Sequence, residues 1–307
     1  LPAAILEEKM STTTIETLTI NGHRLTLKNL DKPFWPEEGI TKGDIMEYYI
    51  KVWPFLSPHL RDRPLSLVRY PDGIHGDYFY QKNFPDAPPW VERVAVKTGK
   101  RVVYYVMANN LETLLWSVNL GCIEVHPQLA TRNNPDHPSY IIFDLDPMPP
   151  ATLEEAKQVA LAIKKIADRL GLQIYPKLSG ATGIHLYLPL APVYTFKQTA
   201  AFVQQLGAAV IQVFPELATA ERSVTARGGK VYIDHLQNLP GKTIAAVYSL
   251  RPFPSAPVSM PVTWKELPHV HPGFFTIATA HRRLEEKGDL FSPLLSLEQL
   301  LPTRYLP

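Results

Sequence analysis

The chain has 307 residues, long enough for one large domain or two lobes around a sizeable core. Apolar residues make up 45% and charged residues 20%, which excludes a disordered chain, and a net charge of +2 gives no global attraction for nucleic acid. A single cysteine, Cys122, excludes a disulfide framework or a zinc site built from several thiolates, and points to a reducing cytoplasm. No apolar run approaches the roughly 18 residues of a membrane span, and Leu1 to Met10 lacks a signal-peptide pattern, so no membrane partner is expected. Met10 can serve as a native start. The 30 prolines, about twice the usual share, sit mostly in connections and suggest rigid loops.

Apolar residues alternate over 15–27 around Asn21-Gly22, which predicts a hairpin. Thr41 can cap a helix through Ile45, Tyr48, Tyr49 and Val52, with a stop expected at Pro54. Strands are expected over 65–70 and 77–82 around Pro71-Asp72-Gly73, then a helix from Asn110 to Leu120 with Gly121 as its stop. The second half begins with Tyr140-Ile-Ile-Phe-Asp-Leu-Asp-Pro147, a strand ending in acids. Thr152 and Glu155 form a capping box for a helix that stops at Gly171. Strands over 173–178 and 184–190 flank a Gly-containing turn, a second capping box at Thr195 and Gln198 opens a helix to about Phe214, and a strand covers 230–235. Strand-helix-strand-strand-helix-strand is the split βαβ order of ferredoxin-like and RNA-recognition-like sheets. The fold class expected is α+β, a βαββαβ sheet packed on an N-terminal α/β lobe.

In a strand the side chains of Asp144 and Asp146 share one face while Leu145 points into the core. Two such carboxylates repel each other and resist desolvation, and a divalent cation between them removes both costs. A D-x-D pair also occurs at ordinary strand ends and in sugar-nucleotide metal sites. In the expected topology the end of the first strand meets the starts of the third and fourth, so Asp144, Asp146, His185 and Asp234 should gather at one sheet edge. Singly, Asp234 reads as a strand-end or turn acid. Ser179 and His185 bracket a turn whose N–H groups suit an anion, or a plain hairpin. Arg227 and Arg251 offer planar forks for a triphosphate, or are solvated surface cations. Lys32 and Lys42 lie around Asp31-Lys-Pro-Phe-Trp-Pro36, and aromatics beside cations serve either as a stacking platform or as core. His126 alone reads as a satisfied buried histidine.

Together these segments resemble one family, the polymerase domain of bacterial ligase D in the archaeo-eukaryotic primase superfamily, which serves non-homologous end joining. The resemblance runs from about residue 16 to residue 305. Its motifs are Lys32-Pro-Phe-Trp-Pro, Tyr78-Phe-Tyr-Gln-Lys82 before Ala87-Pro-Pro-Trp90, Glu124-Val-His-Pro127, Phe143-Asp-Leu-Asp-Pro147, Ser179-Gly180 to His185, Asp234-His-Leu-Gln-Asn238, Tyr248-Ser-Leu-Arg251 and Pro261-Val-Thr-Trp-Lys-Glu-Leu267. It implies that Asp144, Asp146 and Asp234 hold two manganese or magnesium ions, with no zinc. Ser179, His185, Arg227, Gln237 and Arg251 match nucleotide contacts, His126 an essential active-centre histidine, and Arg69 with Phe79 and Tyr80 the region that receives the incoming base. Lys32 and Lys42 match lysines that hold a 5′-phosphate on downstream DNA. Some relatives carry lysine at Thr182 and arginine at Gln237, so one phosphate contact is expected to be weaker here or supplied otherwise.

The layout expected is a tail over 1–15 and one catalytic domain over 16–307. That domain divides into an N-terminal lobe (about 16–138), a catalytic lobe (about 139–250) and an extension (about 251–307). The function implied is template-directed nucleotidyl transfer at DNA ends, with ribonucleotides preferred, in the cytoplasm, alongside a ligase and an end-binding protein. No Lys-x-Asp-Gly adenylation motif occurs, so the chain is a free-standing polymerase or a domain of a longer protein. Two other readings stay open, a metal-dependent glycosyltransferase using the same D-x-D, and a non-catalytic module that bridges DNA ends.

Overall fold

The computed structural model describes residues 15–98 and 101–306. The expected tail lies outside them except for Ile15, as does Met10. The first hairpin joins β1 (Ile15–Ile20) to β2 (His23–Lys28) through Asn21 and Gly22, both left-handed at φ 49° and 82°. Such a turn matches the natural twist of paired strands. Short strands β3 (Pro33–Trp35) and β4 (Ile40–Thr41) lead into α1 (Lys42–Leu60), where Thr41 caps Asp44 and the Asp44 carboxylate bonds back to the Thr41 N–H. The stop expected at Pro54 is corrected, because the helix runs on through Pro54 and Pro58 to Leu60. Ile45, Tyr49, Val52, Leu56 and Leu60 form one fully buried stripe. The carbonyl left unbonded by Pro54 belongs to exposed Ile50, where water can take it.

The N-terminal sheet comprises β5 (Leu65–Arg69), β6 (Phe79–Gln81), β7 (Arg93–Thr98), β8 (Arg101–Val106) and, after α2 (Leu111–Asn119), β9 (Cys122–Pro127). Its order is β6-β5-β8-β7, with β9 also paired to β5. Asn110 caps α2 and Gly121, at φ 85°, ends it.

The second half is β10 (Tyr140–Pro147), α3 (Leu153–Arg169), β11 (Tyr175–Leu178), β12 (Ile184–Pro189), α4 (Phe196–Val213), β13 (Ala218–Thr219) and β14 (Val231–Asp234), with α5 (Ala280–Lys287) in the extension. Both expected capping boxes are formed. The sheet order β11-β12-β10-β14-β13 puts β10 in the centre, antiparallel to β12 and β14, which is the ferredoxin-like arrangement. The two-residue parallel strand β13 at the edge was not expected, being too short to show a period. Helices α3 and α4 pack on each other and on β10 and bury Val159, Ile163, Phe202 and Leu206. Among the described residues no helix is long and apolar enough to cross a membrane.

β14 pairs with β10 only from Asp144 onward. Further back, the side chain of Asn238 replaces the missing strand. Its Oδ1 accepts from the Ile142 N–H at 2.9 Å and its Nδ2 donates to the Ile142 carbonyl at 2.7 Å, fully buried. Asn238→Leu therefore strands two backbone groups in the central strand, and we expect a loss of about 2–4 kcal/mol in urea unfolding. A loss below about 0.5 kcal/mol would contradict this role for Asn238.

Candidate active site

Asp144 and Asp146 sit half-buried on one face of β10 with Leu145 fully buried between them. Across the sheet Asp144 lies opposite His185 on β12 and Asp234 on β14. β10 meets the start of β12 as expected, while β14 is so short that its last residue, Asp234, also reaches this edge. Tyr232 Oη and the Leu236 N–H both donate to Asp234 Oδ1, at 3.1 and 2.8 Å. His185 Nε2 is 3.4 Å from Asp144 Oδ1, and this carboxylate oxygen and His185 Nδ1 are buried without a hydrogen bond.

Burial pushes the Asp144 carboxyl well above the ordinary carboxylate range, and Asp146 and Asp234 push it further. Asp146 is raised by burial and then by Asp234. Burial, Lys177 and Arg251 hold His185 far below the usual histidine value, so it is neutral. Lys177, to which the sequence drew no attention, is fully buried behind these groups and donates to the Ala245 carbonyl at 2.7 Å and Ser259 Oγ at 2.6 Å. Burial, then Arg251, push its ammonium well below the lysine range. Among the described residues no three histidine, cysteine or carboxylate side chains close into a ready cage. The donor set nonetheless fits a hard divalent cation, with neighbouring carboxylates and a buried oxygen lacking a partner.

The turn from Ser179 to Gly183 stands against this edge. Ser179 Oγ accepts from the N–H groups of Ala181 and Gly183, both at 3.1 Å, and so closes the turn. A Cβ on Gly183 would come within 2.3 Å of the Leu145 carbonyl oxygen, so only glycine lets the turn approach the acidic strand. Gly180, at φ 76°, lies under Arg251, whose Cγ would be 2.8 Å from a Cβ there. Arg251 Nη1 donates to the Ser179 carbonyl at 2.6 Å and its Nε lies 3.1 Å from Glu124 Oε2. The same Glu124 oxygen accepts from His126 Nε2 at 2.7 Å. Burial alone would raise the Glu124 carboxyl, but His126 and Arg251 outweigh it and hold it below the usual range. Burial keeps His126 low despite Glu124. Beside them lies a cavity of about 210 Å³ lined by Tyr80, His126, Asp144, Asp146, Ser179 and Arg251, with Thr182, His185 and Gln237 on its wall, while Asp234 does not line it. Gln237 Nε2 donates to the Thr243 carbonyl at 2.8 Å.

The aromatic motifs divide. Phe34 and Trp35 are core, and the Trp35 indole donates to the Phe253 carbonyl. Phe79 and Tyr80 are exposed, and Tyr80 meets the His126 ring edge-on at 5.8 Å. Arg69 spends its guanidinium on the Leu120 carbonyl and Gln81 Oε1 and lies over the Phe79 ring at 5.1 Å. Arg227 does not line the cavity; it stacks on Tyr232 at 3.8 Å, one residue from Ile233 and two from Asp234. Lys32 and Lys42 adjoin, the Lys42 N–H donating to the Lys32 carbonyl. Lys32 Nζ pairs with exposed Asp72 at 2.6 Å, while Lys42 is buried and donates to the Lys28 carbonyl and Asn119 Oδ1. Burial, with Lys32 and Lys28, pushes the Lys42 ammonium down to about 8. Glu124 and Lys177 escaped sequence reasoning, although the same-face pair Glu124 and His126 gave a period-two signal.

A carboxyl raised in the fold binds more protons there, so stability falls as pH climbs above its unfolded value of 3.8. In chelator-treated buffer, Asp144→Asn should gain stability over wild type between pH 5 and pH 8, read from denaturant midpoints. A variant that instead loses ground on that rise would contradict the electrostatics above.

The family model described as the LigD primase-polymerase domain matches residues 41–291. A bifunctional non-homologous end joining protein LigD from Bacillus subtilis is 36% identical over 268 residues, 86% of this chain and 43% of that protein. A multifunctional LigD from Mycolicibacterium smegmatis is 32% identical over 88% of this chain and 36% of its own length. The chain thus spans less than half the length of these curated relatives. The polymerase domain of Mycobacterium tuberculosis ligase D, solved in complex with DNA, superposes with a TM-score of 0.83 at 30% identity, covering 90% of this chain and 99% of that one. The chain belongs to the LigD primase-polymerase domain family.

Proposed function

We propose that the chain is a template-directed nucleotidyltransferase that extends and fills DNA ends held for joining. The observation that carries this reading is the register that sets Asp144 opposite both His185 and Asp234, beside a turn that only glycine allows to approach. In the reaction a primer 3′-hydroxyl attacks the α-phosphorus of a nucleoside triphosphate and pyrophosphate leaves. Asp144, Asp146 and Asp234 would hold manganese or magnesium, which supplies Lewis-acid stabilisation of the attacking and leaving oxygens. Arg251 and the Ser179 hydroxyl face the triphosphate, with Arg227, His185 and Gln237 around them. Phe79 and Tyr80 offer the incoming base a stacking surface, and Arg69 acts through Phe79. Ribonucleotides are the preferred substrate in this reading, and a cytoplasmic location belongs to it.

The chemistry is tested by extension of a gapped duplex. Asp144→Ala, Asp146→Ala and Asp234→Ala should each abolish extension while leaving DNA binding largely intact. Substantial extension by Asp234→Ala would remove that residue from the site.

Lys32 and Lys42 are the proposed holders of a downstream 5′-phosphate. A terminal phosphate can displace exposed Asp72 from Lys32, since surface ion pairs are worth only about 0–1 kcal/mol. An extended end must also be held and sealed, so an end-binding protein and a ligase are the partners this function requires. Because Lys42 loses its charge near pH 8 rather than near 10.5, the extra affinity conferred by the 5′-phosphate should fall between pH 7 and pH 9. Titrations of gapped DNA with and without that phosphate, at one salt concentration, measure it. An increment unchanged at pH 9, or unchanged in Lys42→Ala, would contradict the assignment.

A further inference from the structure

Glu124 is 4% exposed and sits on β9 with its side chain on the same face as His126. One oxygen, Oε2, serves two groups from distant parts of the chain, the His126 imidazole at 2.7 Å and the Arg251 guanidinium at 3.1 Å. Arg251 in turn reaches the Ser179 carbonyl at the start of the glycine turn. The path from Tyr80 through His126, Glu124 and Arg251 to Ser179 therefore follows the wall of the cavity from its exposed aromatic end to its turn. Glu124 itself does not line that cavity.

Two consequences follow from the chemistry of the groups. A carboxylate can only accept, so the imidazole must present Nε2–H to Glu124, which fixes the ring plane and leaves Nδ1 as its other polar atom. Arg251 donates one hydrogen bond, from Nη1 to the Ser179 carbonyl, while its Nε meets Glu124 at 3.1 Å as an ion pair without hydrogen-bond geometry, so the carboxylate restrains the guanidinium by charge. An ion pair kept only for stability would not need to join two cavity-lining groups, and buried ion pairs are often no more stabilising than apolar replacements.

We infer that Glu124 is a positioning residue of the nucleotide site, which touches no substrate and aims His126 and Arg251 at it. This rests on the nucleotidyltransferase reading above. Glu124→Gln keeps shape and volume but gives up the charge and the acceptor-only character. We expect its melting temperature to stay within a few degrees of wild type while the nucleotide KM rises about tenfold, the scale of one misaligned charge-assisted contact. The assay is single-nucleotide insertion of GTP or dGTP opposite a template dC, with manganese, under conditions where wild type turns over. In the double variant Glu124→Gln/His126→Ala the two losses should combine to less than their product, because Glu124 acts partly through His126. Glu124→Ala is a harsher variant that leaves both partners unpaired, so the isosteric Gln form carries the test. An unchanged KM in Glu124→Gln, or fully multiplicative losses in the double variant, would overturn the inference. A wild-type protein that inserts neither nucleotide would instead overturn the underlying reading of the site, and this inference with it.

Discussion

The mutual repulsion of Asp144, Asp146 and Asp234 is the constraint around which the rest of the second half is arranged. Isolated buried charges cost several kcal/mol each, and three acids at one sheet edge would not persist without compensation. The chain supplies part of it from behind and above, through Lys177 and Arg251, both of which lower the Asp144 carboxyl against the pull of burial. The compensation is incomplete, as Asp144 Oδ1 is left buried without a partner. In the proposed reading, a divalent cation would meet this unpaired oxygen.

The same constraint explains the local backbone. The acids must sit at the end of a central strand for three chain segments to reach them, which the split βαβ order provides. The glycine turn lies against the acidic strand, and Gly183 allows that approach. Arg251 comes from beyond the sheet and closes the site over Gly180, anchored through Glu124 to the N-terminal sheet. Function at this edge thus depends on both sheets and on the segment after β14.

Much of this was legible in sequence because it rests on local rules. Asn21-Gly22 fixes a hairpin by left-handed backbone, Thr152 with Glu155 and Thr195 with Gln198 start helices by reciprocal bonds, and the two-residue period puts Asp144 and Asp146 on one face. What was not legible depends on tertiary partners. Pro54 fails to end α1 because the buried stripe from Ile45 to Leu60 outweighs one lost bond. Lys177 looks like any strand lysine until Ser259 and the Ala245 carbonyl are brought to it. Nothing local in the sequence shows that Asn238 completes a strand or that the Lys42 ammonium turns inward.

We propose that the three aspartates form an electrostatically unfinished site that a divalent cation would complete. The most direct test is the shift in unfolding free energy of the chelator-treated protein on adding manganese, without DNA or nucleotide. A ligand that binds only the fold stabilises it by RT ln(1 + [L]/Kd), about 2.7 kcal/mol at one hundred times Kd. The account predicts a concentration-dependent rise for wild type that is lost in Asp144→Asn. A wild-type stability indifferent to manganese, or an equal rise in Asp144→Asn, would contradict it.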